Sequence, residues 1–126
     1  MITIKTIIEV IGYPADHVDS TLSQIIEKLE KEDGIRIINR IIHKSKQLKK
    51  FFTAFVELEI DIDNLQKTVQ FCLDYHPSSI EIQDKENLKI ETKELTNSLN
   101  DILGTLHKYN MLTKNMEAQL MALNKK

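Results

Sequence analysis

The fold class is decided by residues 2–34, ITIKTIIEVIGYPADHVDSTLSQIIEKLEKEDG, in which the spacing of the apolar residues changes once. From Ile2 to Ile11 the apolar residues alternate well enough to predict a strand. From Val18 to Leu29 they recur every three or four positions, as they do along one face of a helix. Asp33-Gly34 ends this helix, because glycine readily adopts the left-handed conformation at a helix end. The stretch therefore predicts one strand followed by one helix.

The same two spacings continue through the middle of the chain. They predict strands over residues 35–42, 54–60 and 79–83, and a lysine-rich connection over 44–50. A second helix, capped by Asp61 or Asp63, is predicted between the last two strands. Its expected apolar stripe consists of Leu65, Val69, Cys72 and Leu73. Ile80 and Ile82 are expected to point inward from the fourth strand, and a polar turn is expected over 84–87.

The resulting order is strand, helix, strand, strand, helix, strand, and then a long helix. Right-handed crossovers leave few topologies for this order, and an antiparallel four-stranded sheet with two helices on one face fits it. We therefore predict an α+β plait over residues 1–84. Residues 85–91 are predicted to be a connector or a short extra strand, and residues 88–91 could instead be the start of the long helix. Residues 92–126 are predicted to form that helix.

The long helix carries an apolar seam with alternating three- and four-residue steps, interrupted only at Thr113. Its members are Leu95, Leu99, Ile102, Leu106, Tyr109, Met116, Leu120 and Leu123. Such a seam predicts a coiled-coil or bundle contact, because its apolar side chains must be shielded from water. It could pack against another copy of the chain or fold back onto its own domain. The stripe also includes Leu103 and Leu112 beside the seam, and it favours a homo-oligomer, either a dimer or a larger assembly.

The element order resembles the ferredoxin-like plait, a group that includes ACT-type regulatory domains and RNA-recognition domains. The ACT resemblance implies a small effector bound near the loop after the first strand, which here contains Gly12, Tyr13 and Asp16. The RNA-recognition resemblance rests on Ala54-Phe55-Val56-Glu57 and on Ile8-Glu9-Val10-Ile11-Gly12. Only Phe55 supplies a stacking ring in these two motifs, since Glu9 and Thr53 stand where aromatic residues would be.

One face of the sheet is predicted to remain uncovered by the helices. Its expected apolar members are Ile7, Ile11, Ile38, Ile42 and Phe55. Arg36 and Arg40 on the same face are expected to form cross-strand ion pairs with Glu57 and Glu59. A patch of this composition predicts cover from a second subunit or from the long helix.

Composition narrows the classes of function. The net charge of −2 argues against a protein built mainly to neutralise phosphates. A single cysteine fits a reducing compartment, and with no signal-peptide pattern and no long apolar run we expect a cytoplasmic protein. The abundance of lysine and isoleucine is typical of AT-rich genomes, archaeal ones among them. The four histidines lie in different elements, and the sequence predicts no catalytic, cofactor-binding or metal-binding residues.

These observations predict a non-enzymatic homo-oligomer that acts as a scaffold, an adaptor or a sensor of a small effector. The alternative is a nucleic-acid-binding protein that uses the open sheet face and the lysine-rich hairpin. The expected contacts in that case are Lys44, Lys46, Lys49 and Lys50.

Overall fold

The computed structural model of this chain describes residues 1–83 and 86–125. The elements are β1 (Ile2–Gly12), α1 (Ala15–Glu30), β2 (Ile35–Leu48), β3 (Phe51–Ile62), α2 (Leu65–Tyr75), β4 (Ser79–Ile82) and α3 (Thr92–Asn124). The strands form one antiparallel sheet in the order β2-β3-β1-β4. This is the strand order of the split βαβ plait, and it confirms the predicted α+β fold.

The core lies between one face of the sheet and the helices. Ile4 pairs with Ile60, and Ile8 with Val56, so alternate residues of β1 and β3 point to the same side. All four are buried. The stripe of α1 covers them with Val18, Leu22, Ile26 and Leu29, each buried. The alternation in β1 and the helical spacing in α1 were therefore reliable guides to the core.

The second helix is rotated relative to the prediction. Its buried residues are Thr68 and Phe71, and Phe71 is only 1% exposed. α2 contacts both the sheet and α3. The residues of the predicted stripe are therefore half-buried between these two elements. The N-cap is Asn64, whose side chain accepts a hydrogen bond from the backbone N–H of Lys67 at 2.8 Å. The expected caps were wrong, because Asp61 belongs to β3 and Asp63 lies one residue before the N-cap.

The lysine-rich connection is mostly strand. β2 continues to Leu48, which lies opposite Phe51, so the turn between β2 and β3 contains only Lys49 and Lys50. Lys49 has φ 57°, a left-handed conformation that costs a residue with a side chain about 1–2 kcal/mol. Continued backbone pairing with β3 explains why the strand passes through residues whose charge predicted a loop.

Two register shifts in β2, between Ile37 and Asn39 and between His43 and Lys46, change which side chains face outward. Past the first shift, Ile41 lies opposite Glu57 on the open face. Ile42 lies opposite Val56, which belongs to the core face. The predicted place of Ile42 on the open face was therefore wrong, and so was that of Arg40. An inserted residue reverses the facing of the residues that follow it, because the side-chain period of a strand is two, and the second shift reverses the facing again from Lys46 onward.

β4 forms the edge of the sheet beside β1, and its side chains are only partly buried. Ile80 and Ile82 lie opposite Thr6 and Ile4, on the side of the helices, as predicted. Both remain more than two-fifths exposed, because β4 is a short edge strand. The turn predicted over 84–87 includes residues 84 and 85, which lie outside the described residues. Residues 87–91 form neither a strand nor a helix, and α3 begins at Thr92.

The buried ring of Phe71 provides a test of the packing of α2. Phe71→Ala should lower the free energy of unfolding by about 3–5 kcal/mol, because it removes a large buried side chain and leaves a cavity. Phe51→Ala is the control, since Phe51 is more than half exposed and should cost far less. Urea denaturation measures both values. Equal losses in the two variants would contradict the placement of Phe71 in the core.

Glu32 connects the end of α1 to α2 and provides a test that depends on pH. Its carboxylate accepts hydrogen bonds from the Tyr75 hydroxyl at 2.8 Å and from Lys67 Nζ at 3.2 Å. The hydrogen bond from Tyr75 has the larger effect, and together the two contacts hold the pKa of Glu32 below its usual value of 4.5. A lowered pKa means that this stabilisation is present above the usual pKa of glutamate and is lost as the pH falls through the folded-state pKa.

Tyr75→Phe should therefore lower the free energy of unfolding by about 1–2 kcal/mol at neutral pH, because a hydrogen bond to a charged group is lost. The difference in the free energy of unfolding between this variant and the unmodified protein should shrink in acid, as Glu32 becomes protonated. Tyr13→Phe, at an exposed tyrosine, is the control and should have little effect at either pH. A Tyr75→Phe loss that is independent of pH would contradict the role of the Glu32 carboxylate.

Candidate functional site

α3 contacts the rest of the protein through its polar face. Ser98 is buried against α2, and Asn97 and Asp101 are half-buried. Glu94 Oε1 accepts hydrogen bonds from the backbone N–H of Leu65 at 2.7 Å and of Gln66 at 3.3 Å. A carboxylate at this position satisfies two N–H groups of the first turn of α2 and meets the positive end of its dipole. Glu94 thus fixes the base of α3 to the start of α2.

The two helices run side by side in the same direction. Near the other end of α2, the Tyr109 hydroxyl lies 3.3 Å from His76 Nε2. Every residue from Leu106 to Lys125 is exposed. At 1.5 Å per residue, residues 110–124 extend about 22 Å past the contact at Tyr109. The second half of α3 therefore projects from the domain.

The predicted apolar seam lies on the outside of this arrangement. Seven of its eight members are between 45% and 65% exposed, and Ile102 is half-buried. The members are Leu95, Leu99, Ile102, Leu106, Tyr109, Met116, Leu120 and Leu123. Since the polar face is turned toward α2, the seam does not fold back onto the plait of its own chain. Leu103 and Leu112 widen the exposed stripe on either side.

The positions that flank the seam carry little charge. In a heptad with Leu99 and Leu106 at position a, the residues at e and g include Ser98, Thr105, Asn110 and Gln119. Only Glu117 among the flanking positions from Thr96 to Asn124 is charged. Flanking charges decide which coiled-coil partners repel one another. The seam is therefore compatible with a copy of itself.

The open face of the sheet holds a shallow concavity of about 540 Å³. Its lining includes Ile7 and Ile41, with the carboxylates of Glu57, Glu59 and Glu81 around them. Ile41 occupies the place expected for Ile42, and Ile38 is the extra residue at the first bulge of β2. A second concavity, of about 460 Å³, lies along this bulge. No signal in the sequence marked the bulge, so the contribution of Ile41 was missed.

The charges of this region pair differently from the prediction. Arg36 donates to Asp61 at 3.1 Å, and Arg40 pairs with Glu30 of α1. The pKa of the Asp61 carboxyl lies below its usual range because the hydroxyl of Thr3 donates to it at 2.6 Å, with Arg36 as a further donor. The expected pairs with Glu57 and Glu59 were wrong. Arg36 precedes the bulge and lies opposite Asp61, and Arg40, beyond the bulge, lies opposite Leu58 on the face of the helices.

Phe55, the expected stacking ring, is already stacked within the protein. Its ring centroid lies 4.1 Å from that of His43, with an interplanar angle of 14°. His43 Nε2 in turn lies 2.8 Å from Glu57 Oε2. The ring therefore has a stacking partner on one side and a carboxylate nearby.

The loop expected to bind a small effector lies at the start of α1. Tyr13 is exposed, and its ring centroid lies 6.1 Å from that of Phe52. Gly12 lies close to Val18, and the Asp16 carboxylate is exposed in the first turn. The two concavities described above lie elsewhere on the sheet, so effector binding by Gly12, Tyr13 and Asp16 stays a prediction.

The far end of the β2–β3 hairpin brings together residues that were not recognised as a group. Ile11, Leu48 and Phe51 are each more than half exposed, close to the turn formed by Lys49 and Lys50. The prediction of a loop over 44–50 concealed this cluster, because only strand pairing aligns Leu48 with Phe51. We call residues 11, 46 and 48–51 the basic tip.

In residues 1–83 and 86–125, no group of three or more His, Cys, Asp and Glu side chains is arranged to hold a metal ion. None of the helices in the same ranges combines the length and hydropathy needed to cross a membrane.

The fold and the exposed helix define an α+β plait protein with a long C-terminal helix. The chain belongs to the MJ0538 family, whose model matches residues 3–125 and so includes both the plait and α3. It is 29% identical over 101 residues to an uncharacterized protein, MJ0538, of Methanocaldococcus jannaschii. The match covers 79% of this chain and 38% of that protein, so the chain spans well under half the length of this curated relative. No solved structure matches the chain.

The contact between Glu94 and α2 provides a test of how α3 is attached. Glu94→Ala should lower the free energy of unfolding by about 1 kcal/mol, because it leaves two N–H groups of α2 without their acceptor. The control is Glu91→Ala, whose exposed side chain makes no cap hydrogen bond. Urea denaturation followed by circular dichroism compares the two. A larger loss for the control would contradict the docking role of Glu94.

Proposed function

We propose that this protein is a homo-oligomeric scaffold, held together by pairing of the α3 seam with the same seam of a second copy. The observation that carries the proposal is the outward orientation of the seam, whose members are exposed over most of α3. A monomeric soluble protein rarely leaves so large a contiguous apolar surface in water.

The energy available from covering the seam is substantial. Burying a large aliphatic side chain contributes about 1.5–3 kcal/mol, so eight partly exposed members of each copy could contribute on the order of 10 kcal/mol. Part of this offsets the rotational and translational freedom that two chains lose on association. Covering the seam therefore favours association of two copies.

A second copy fits the seam better than an unrelated partner. The three- and four-residue spacing is self-complementary, because the side chains of one helix fill the gaps between those of an identical helix. In such a pair, Thr113 of one copy lies near the corresponding seam residues of the other. The flanking positions add little repulsion, because only Glu117 among them is charged. The docked part of α3 keeps its polar face on α2, so assembly requires no rearrangement of the plait.

Such an assembly would hold plait domains at a set distance from one another. The projecting half of α3 supplies contact area beyond the domain, and the open sheet faces stay accessible to other molecules. A scaffold or adaptor role follows from that arrangement, because the oligomer presents several copies of the same surfaces.

Light scattering coupled to size-exclusion chromatography tests the proposal. The chain of 14.6 kDa should have at least twice this mass at micromolar concentration. Leu106→Glu combined with Leu120→Glu should yield a monomer, because charges are placed in the middle of the seam. Met111→Glu, which adds a charge on the opposite side of α3, is the matched control and should remain oligomeric. A monomeric mass for the unmodified chain would reject the proposal.

A further inference from the structure

The β2–β3 hairpin carries a cluster of positive charges without neighbouring carboxylates in the sequence. Between Lys44 and Val56 the sequence contains four lysines and no carboxylate, although the whole chain has a net charge of −2. All four lysines are exposed. In the described part of the chain, none of the four ammonium groups forms an ion pair. The charge is therefore available to an anionic partner.

The hairpin that presents these lysines is held firmly. Lys46 lies opposite Thr53 and Leu48 opposite Phe51, so the lysines of β2 belong to a paired strand. Asp19 of α1 accepts hydrogen bonds from the backbone N–H and the hydroxyl of Ser45, both at 2.8 Å. Rigid elements position binding groups more accurately than mobile loops do.

The turn between β2 and β3 has a lysine at a position where the backbone conformation favours other residues. Two-residue hairpin turns prefer glycine or asparagine where φ is positive, yet Lys49 occupies that position with φ 57°. The chain thus retains a lysine at the outermost point of the hairpin, next to Lys50.

An apolar platform lies immediately behind this turn. Phe51, Leu48 and Ile11 are 54%, 55% and 59% exposed. Leu48 is opposite Phe51, and Ile11 is opposite Thr53, two residues along β3, so all three side chains lie on the open face. Lys46 shares this face, because it is also opposite Thr53.

We propose that the basic tip binds single-stranded nucleic acid, with bases against Phe51, Leu48 and Ile11 and phosphates near Lys46, Lys49 and Lys50. Positive charge beside an exposed ring is the combination that recognises an unpaired strand, since phosphates meet the lysines and the faces of the bases cover apolar surface. A duplex fits less well, because its bases are already stacked on one another.

The arrangement favours a nucleic acid over a membrane surface. Lys49 and Lys50 form the outermost point, and the apolar side chains lie along the flat sheet behind them. Insertion into a bilayer would bury those charges before Phe51 reached the acyl chains. Contact across the flat face leaves both lysines in water beside phosphates.

The binding region is short. Glu9 lies opposite Phe55, and Glu57 is two residues further along β3, so carboxylates limit the platform on the side away from the turn. They would repel the phosphates of a strand that continued along the sheet. The basic tip therefore accommodates a few nucleotides, without the Phe55 platform that the RNA-recognition resemblance implied.

Fluorescence anisotropy with a labelled oligouridylate tests this inference. The unmodified protein should bind it at low salt, and the affinity should fall as salt rises. Lys46→Gln combined with Lys50→Gln should weaken binding at least tenfold and reduce the slope of log K against log salt by about 1.4, since each phosphate contact to a single strand contributes about 0.7. Phe51→Ala should weaken binding severalfold with little change in that slope.

Lys89→Gln combined with Lys93→Gln is the matched control, because it removes the same charge from exposed lysines outside the basic tip. The variant that combines Leu106→Glu with Leu120→Glu should bind the oligonucleotide with the affinity of a single basic tip. Nucleic-acid binding can therefore be tested separately from the proposed oligomer. Equal losses in the two lysine pairs, or absence of binding at low salt, would overturn it. Binding to phosphatidylserine vesicles without binding to the oligonucleotide, or a preference for duplex, would overturn it too.

Discussion

The contact between the polar face of α3 and α2 is the interaction that leaves the apolar seam exposed. Glu94 accepts two hydrogen bonds at the N-terminus of α2, and Ser98 is buried between the helices. Polar side chains attach α3 while its apolar seam stays outside. Had the seam packed against α2 instead, the long helix would have completed the core and left no surface for assembly.

The basic tip depends on a different element and on a different kind of interaction. Backbone pairing carries β2 through a lysine-rich segment to Leu48, and Asp19 attaches that part of the strand to α1. Hydrogen bonds in the ladder overcome the tendency of a charged segment to form a loop. The seam and the basic tip thus lie on separate elements, so the proposed oligomer would leave the basic tip open.

The bulges of β2 show how a local irregularity changes a surface. One extra residue near Ile38 places Ile41 on the open face and turns Ile42 toward the helices. The same shift turns Arg40 toward Glu30 of α1, whereas Arg36, which precedes the shift, lies directly opposite Asp61 and pairs with it. The acidic character of the central open face follows, because Glu57 and Glu59 are left without those arginines.

The sequence by itself determined the order of the elements, the core of β1, β3 and α1, and the composition of the α3 seam. These features repeat with the period of a strand or a helix, and burial of one face imposes that period on the residues. Only the tertiary structure decided the rotation of α2, the extent and facing of β2, and the direction in which the seam points. Phe71, Ile41 and Leu48 owe their places to contacts with elements that are distant along the chain. A local pattern shows which residues share a face, but which neighbour covers that face depends on how the whole chain packs.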